Sequence, residues 1–183
     1  PRLTTFLLEF PRYILAEFNT HRMFSRNAAS SRAIPVSKRL EMVAQDPVIP
    51  VEWGLDQPGM QAPKLAEGET LVAAVHIWEN ACRDAASHAR KLADLGISKQ
   101  IVNRLLEPFV SVQVLMTSTA MGLENFCALR AAPKPDPAMR ALAGLMLWNY
   151  NNHTPEPLAP GEWHIPFGDD MYPDLPEEVR LKV

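Results

Sequence analysis

Apolar residues crowd Leu3 to Phe10 (LTTFLLEF), a short run with β-branched entries that predicts a strand. Pro11 suits the first turn of a helix. Tyr13, Ile14 and Phe18 then fall on helical spacing, so an amphipathic helix is expected to end near Thr20 to Phe24. Ser25 to Pro35 reads as an ordered loop. Val36, Leu40 and Val43 share one face of a helix over Val36 to Gln45. Pro47 to Pro63 is rich in proline and reads as a loop, with room for a short strand at Val48 to Trp53 that Pro50 would interrupt.

The longest pattern runs from Glu69 to Leu95, where Leu71, Val75, Trp78, Cys82, Ala85, Ala89 and Leu92 recur at steps of three and four. Gly96 supplies a helix stop. Ser98 caps a second helix, Lys99 to Leu106, which Pro108 ends. Phe109 to Thr119 alternates Val110, Val112 and Val114 with Ser111 and Gln113, a strand pattern that turns towards helix near Leu115. Helices follow over Thr119 to Arg130 and Pro137 to Asn149, separated by Pro133 and Pro135. In the last of them Met139, Leu142, Leu145, Met146 and Trp148 form the expected core side. From Asn151 the chain is proline-rich and should wrap the surface, with Trp163, Ile165 and Phe167 anchoring an edge strand.

A length of 183 residues suits one domain, 1–183, with residues 151–183 as a tail. A net charge of −3 argues against a general nucleic-acid binder. The charge is uneven, however. Arg2, Arg12, Arg22, Arg26, Arg32, Lys38 and Arg39 face only Glu9 and Glu17 in the first 39 residues, and Asp169 to Glu178 is acidic. Such focusing favours an anionic small molecule. Cys82 and Cys127 lie in apolar helical surroundings without CxxC spacing, as buried thiols in a reducing compartment do. No apolar run approaches ~18 residues and no signal peptide is visible, so a cytoplasmic protein without membrane attachment is expected. The abrupt strand-like start at Pro1 suggests residues upstream.

Chemistry concentrates in Asn19 to Arg32, where His21 joins Arg22, Arg26 and Arg32 and a set of short hydroxyls. Guanidiniums offer forked donors and serines offer hydroxyl and backbone N–H, a combination suited to phosphate. The competing reading is a solvated basic helix end. His76 and His88 have no carboxylate at metal-ligand spacing and read as ordinary surface or core histidines. GxGxxG, GxxxxGK[ST], GxSxG and HExxH are all absent, so an enzyme built on this chain needs substrate-borne reactivity or an organic cofactor held without a Rossmann loop.

Thr20-His21-Arg22, seven residues, then Ser30-Ser31-Arg32 resembles the signature of the flavin-dependent thymidylate synthases, which is Arg-His-Arg, seven residues, Ser, usually followed by Gly-Arg. Asn103 to Pro108 (NRLLEP) is similar to the family's Ala-Arg-x-x-Leu-Pro, and Asn125 to Arg130 (NFCALR) to its Asn-Phe-x-x-Leu-Arg. The resemblance covers roughly Leu3 to Leu147. It implies an α+β fold, a small antiparallel sheet flanked by helices with a long central helix. It implies that Ser30, Ser31, Arg32 and Arg104 bind the nucleotide, the serines and Arg32 at its phosphate. Arg130 would face the pyrimidine, with Glu17 standing where the family has a nucleotide-binding Gln. His21, Arg22 and Asn125 would lie against FAD. The implied reaction makes dTMP from dUMP with methylenetetrahydrofolate and NADPH, without an enzyme nucleophile, in a homotetramer whose sites combine several subunits. A bacterial or phage-infected cell is the implied setting.

The departures from the family pattern are specific. Thr20 replaces a flavin-contacting Arg, Ala28 replaces a Glu, and Thr119 and Met121 replace an Asn and an Arg used for FAD. The phosphate and pyrimidine side survives better than the flavin side. Three readings follow: one-carbon transfer to C5 of a deoxypyrimidine monophosphate, with dUMP as default and dCMP open; a nucleotide-binding homologue that has lost FAD; or an interaction protein with a solvated basic stretch.

Overall fold

A computed structural model describes residues 2–59 and 62–166. The described elements are β1 (Leu3–Pro11), a 3-10 turn (Arg12–Ile14), α1 (Leu15–Phe18), β2 (Ser25–Ala28), α2 (Val36–Gln45), α3 (Gly68–Asp94), α4 (Lys99–Val102), a second 3-10 segment (Asn103–Phe109), β3 (Ser111–Thr119), α5 (Ala120–Arg130) and α6 (Pro137–Asn152). The architecture is α+β, with one three-stranded antiparallel sheet in the order β1-β3-β2.

β3 is central because its apolar alternation is the strongest. Val112, Val114, Met116 and Ser118 all point inward and are buried. β1 pairs with it along its whole length, Leu3 opposite Thr119 through to Pro11 opposite Ser111. β2 takes the other edge, Ser25 opposite Thr117 and Ala28 opposite Val114. The inward face packs on α5 and α6 through Leu8, Phe10, Phe18, Phe24, Leu123, Phe126, Met139 and Met146. Each such side chain contributes about 1.5–3 kcal/mol of transfer free energy. A second cluster forms where α2, α3 and the Asn103–Phe109 segment meet, with Val43, Cys82, Ala89, Val102, Leu106 and Phe109.

Local chemistry sets the helix ends. Gly96 adopts φ 77°, and the N–H groups of Gly96 and Ile97 reach Ala93 O and Leu92 O at 2.9 and 3.1 Å, closing α3 in a Schellman turn. Ser98 Oγ accepts from Gln100 N, and Asp136 Oδ1 from Ala138 N at 2.8 Å ahead of Pro137. Thr119 does the same for α5, its Oγ1 accepting from Gly122 N at 3.3 Å.

Several expectations change. Pro11 ends β1 instead of opening a helix, and the α-helical part that follows is one short turn closing at Phe18. Ser25–Ala28 is a strand, because β3 offers a free edge that pairs even this polar segment. Val48–Trp53 forms no strand, and only an isolated bridge, Gly54 to Leu65, occurs in that loop. The helix expected to run to Leu106 tightens to 3-10 geometry from Asn103, with Pro108 inside it. β3 stays extended to Thr119 instead of turning helical near Leu115. Leu145 and Trp148 are exposed at 64% and 61%, since the sheet covers only the Met139, Leu142, Met146 side of α6. Residues 154–166 contain no strand and Trp163 is exposed, although His164 Nε2 lies 2.8 Å from Thr5 Oγ1. Phe167, the third expected anchor, lies outside the described residues.

Candidate functional site

The turn after α1 is built by its own backbone and by one arginine. His21 N donates to Phe18 O at 3.2 Å and Thr20 Oγ1 to Glu17 O at 2.7 Å. Arg26 stands on β2 opposite Met116 and folds over the turn. Its guanidinium donates to His21 O at 2.9 Å, Phe24 O at 3.1 Å and Asn19 Oδ1 at 2.8 Å, and also to Asn19 O. Carbonyls that a short helix leaves without partners are thereby satisfied. Arg26 is therefore a clamp on the turn, with its fork already filled.

The clamp fixes His21 at the end of an aromatic file. Phe10 meets Phe18 at 5.0 Å with rings tilted by 45°, Phe18 meets Phe126 edge-on at 5.9 Å, and the His21 ring meets Phe126 edge-on at 4.8 Å and 88°. His21 Nε2 accepts a hydrogen bond from Arg130 Nε at 2.9 Å. A ring nitrogen that accepts from a guanidinium carries no proton, so the ring is neutral with its proton on Nδ1. Burial pushes the His21 pKa down from 6.5, and the charges of Arg130 and Arg26 push it further down. Arg130 Nη1 also ion-pairs with Glu17 Oε1. Glu17, His21 and Arg130, expected from sequence to lie at the nucleotide and the flavin, thus form one bonded unit joining α1 to the last turn of α5.

This unit borders a cavity of about 290 Å³ whose walls include His21, Arg22, Phe24, Asn125, Leu129 and Arg130. Arg22 and Asn125 are exposed, and among the described residues neither side chain forms a hydrogen bond or ion pair. Gly122 lets the turn approach α5: a Cβ there would collide with Ser118 Oγ and press on Met23 Cβ at 3.3 Å. The volume lies at the lower limit of small-molecule sites. It has room for one heterocycle, with uncommitted donors at the rim and an apolar floor.

The second expected group gathers elsewhere, around a residue the sequence reading did not single out. Glu107 Oε1 accepts from Ser31 Oγ at 2.8 Å and pairs with Arg12 Nε at 3.2 Å, while Oε2 lies 3.5 Å from Arg104 Nη1. Burial alone would raise the Glu107 pKa, but the Ser31 hydroxyl, Arg12 and Arg104 outweigh it and the net shift is downward. Ser31 is buried and its hydroxyl is spent on Glu107, and Asn103 Nδ2 holds the Ser31 and Ile34 carbonyls at 2.8 and 2.9 Å. Ser30 Oγ accepts from Arg32 N at 3.3 Å, and the Arg32 side chain is exposed and unpaired among the described residues. Beneath lies Arg39, 1% exposed, donating to Ser111 O at 3.3 Å; burial lowers its pKa and so does Arg12.

The predicted residues therefore fall into two groups. Glu17, His21, Arg22, Asn125 and Arg130 are brought together. Ser30, Ser31, Arg32 and Arg104 are brought together, but none of them lines the cavity beside Arg130. Glu107 was missed as a hub, and Arg12 and Arg39 were read only as members of the basic run from Arg2 to Arg39. The only sequence signal was an acidic residue set between Leu106 and Phe109 in an otherwise apolar stretch.

Fold and site together define an α+β protein with a neutral-histidine, arginine-lined cavity and a separate cationic cluster among the described residues. The chain belongs to the family described as thymidylate synthase complementing protein, the flavin-dependent thymidylate synthases, whose family model matches residues 3–156. Among solved structures it is similar to a UMP/dUMP methylase, PolB, from Streptomyces cacaoi. The form bound with 5-Br dUMP matches with a TM-score of 0.64 and 21% identity over 81% of this chain and 66% of that one. The form bound with 5-Br UMP matches with a TM-score of 0.64 and 22% identity over 81% and 68%. The chain thus spans about two thirds of PolB. No curated protein matches the sequence.

Proposed function

We propose that this chain transfers a one-carbon unit from methylenetetrahydrofolate to C5 of a deoxypyrimidine monophosphate, with FAD as cofactor and NADPH as reductant. The observation that carries the reading is the Glu17–Arg130–His21 unit at the edge of a heterocycle-sized cavity. It supplies fixed hydrogen-bond partners for a base edge, in a chain that belongs to a nucleotide-modifying family. The phosphate falls to Ser30, Arg32 and Arg104, where charge-assisted donors remain exposed. The cationic cluster and the cavity are separate within one chain. This supports a homo-oligomer, a tetramer by family resemblance, in which the phosphate group of residues comes from a second copy.

The donor set fits a flavin ring at one edge. Arg22 and the Asn125 amide, both exposed, would hold its polar rim at the cavity mouth, outside the space the base takes. The cavity is too small for the whole dinucleotide, so the remainder would lie outside it. Bound FAD supplies hydride transfer between NADPH and the one-carbon unit. In the net reaction the C5–H bond breaks and its proton leaves, and the methylene carbon bonds to C5 as its two bonds to folate nitrogens break. A hydride originating from NADPH reduces it to methyl, and tetrahydrofolate is released with its nitrogens protonated.

The chain's own contribution is positional and electrostatic. Arg130 donates to the base edge and favours the electron density that builds on the ring as C5 becomes nucleophilic. Neutral His21 fixes the Arg130 plane without adding charge. Cys82 and Cys127 are buried and burial raises both thiol pKa values, so neither is poised as a thiolate. That agrees with chemistry that uses no enzyme nucleophile.

A second reading, a nucleotide-binding homologue without FAD, draws on Met121, which is 68% exposed, and Thr119, whose hydroxyl is spent on the α5 cap. The flavin spectrum of the purified protein, with and without added FAD, separates the two. A bound flavin supports catalysis, and a colourless protein that binds pyrimidine nucleotide supports the second reading.

A further inference from the structure

Arg130 has five N–H donors, of which Nε–H goes to His21 and one Nη1–H to Glu17 Oε1. The remaining three are unpartnered among the described residues, and so is Glu17 Oε2. Arg130 lines the cavity and the Glu17 carboxylate is held against its guanidinium, so donors and an acceptor stand side by side there. Arg130 holds that carboxylate in a salt bridge, and a carboxylate can only accept.

The two pyrimidines differ at this edge. Cytosine presents O2 and N3 as acceptors and the 4-amino group as donor. Uracil presents O2 as acceptor, N3–H as donor and O4 as acceptor. Donors followed by an acceptor complement cytosine at each position. Set against uracil in the same register, a guanidinium N–H meets N3–H and the carboxylate meets O4, which are two repulsive contacts; a shift of one position that puts N3–H on the carboxylate relieves them but leaves O4 and a guanidinium donor unmatched. An amide at position 17 would lift the second, since it can donate to O4.

We infer that Glu17, held by Arg130, is a specificity-determining residue that selects a 4-amino pyrimidine, so that the preferred nucleotide is a cytosine deoxymonophosphate. This rests on the pyrimidine-nucleotide reading above and deepens it. Rejection through unpaired or opposed polar groups is the strong form of discrimination, because a buried group left without a partner costs more than a lost methylene contact.

The test is calorimetric titration of dCMP and dUMP into the full chain and into Glu17→Gln. The wild type is expected to bind dCMP at least about tenfold tighter than dUMP. Glu17→Gln is expected to narrow or reverse that ratio, weakening dCMP and strengthening dUMP. A merely structural Glu17 would shift both nucleotides alike, which overturns the inference. A wild type that binds dUMP as well as dCMP also overturns it, and leaves the pyrimidine-nucleotide reading standing. Binding of neither nucleotide overturns both. The wild-type ratio decides the matter even if Glu17→Gln fails to fold.

Discussion

Arg130 donates its Nε–H to His21 Nε2 at 2.9 Å, and that one bond fixes the charge, the tautomer and the orientation of the histidine in the cavity wall. The same guanidinium pairs with Glu17, so a change at any of the three is felt by the other two.

His21 should make the fold acid-sensitive. Its folded pKa lies below the ordinary 6.5, so the unfolded chain binds the proton more readily. The stabilisation is fully present above 6.5 and is lost as pH falls through 6.5 towards the folded value. Thermal melting between pH 8 and 5 should show a falling Tm, and His21→Gln should flatten that slope. An identical slope in the variant would remove His21 from the account.

Arg32→Ala and Arg104→Ala should weaken nucleotide binding by about 1.5–3 kcal/mol each, roughly ten- to a hundred-fold. Both side chains are exposed, so melting temperatures should hardly move. Unchanged affinity would relocate the phosphate site.

Arg26→Ala should behave in the opposite way. It removes the donors to His21 O, Phe24 O and Asn19, and should destabilise the fold by about 1–3 kcal/mol. Urea denaturation at neutral pH measures this directly. A variant as stable as the wild type would show that the turn needs no clamp.

Glu107→Ala strips the partner from Arg12 and Ser31 above the buried Arg39. A loss of about 1–3 kcal/mol is expected in the same assay. Since the Glu107 pKa is depressed in the fold, its contribution is present above the unfolded 4.5 and fades as pH falls below it. The wild-type and variant stability curves should therefore converge in acid.

The sequence made β1, α2 and α3 legible because each carries its signal locally, a short apolar run in β1 and a three-four apolar stripe in each helix, with Gly96 closing α3. β2 was not legible. Ser25–Ala28 has no strand pattern and is extended only because β3 leaves an edge for it. Trp148 misled for a related reason. Helical spacing places it near the apolar stripe of α6, but the sheet is too narrow to cover that side. At the site, the motifs named Glu17, His21, Ser30 and Arg130 because residue type and order are sequence properties. The partition into two clusters was hidden, since it depends on which guanidinium reaches which carboxylate. Arg26 becoming a clamp and Glu107 becoming a hub follow from tertiary contacts between residues 7 and 76 positions apart.

Turnover with labelled folate shows whether the chain moves a one-carbon unit to C5. The full chain is incubated with FAD, NADPH and methylenetetrahydrofolate carrying an isotopic label on its transferable carbon, with dCMP or dUMP, and the nucleotide is analysed by mass spectrometry. The account predicts label at C5 of the pyrimidine, dependent on FAD and NADPH. Unlabelled nucleotide from both substrates, with the protein folded and flavin bound, would contradict it.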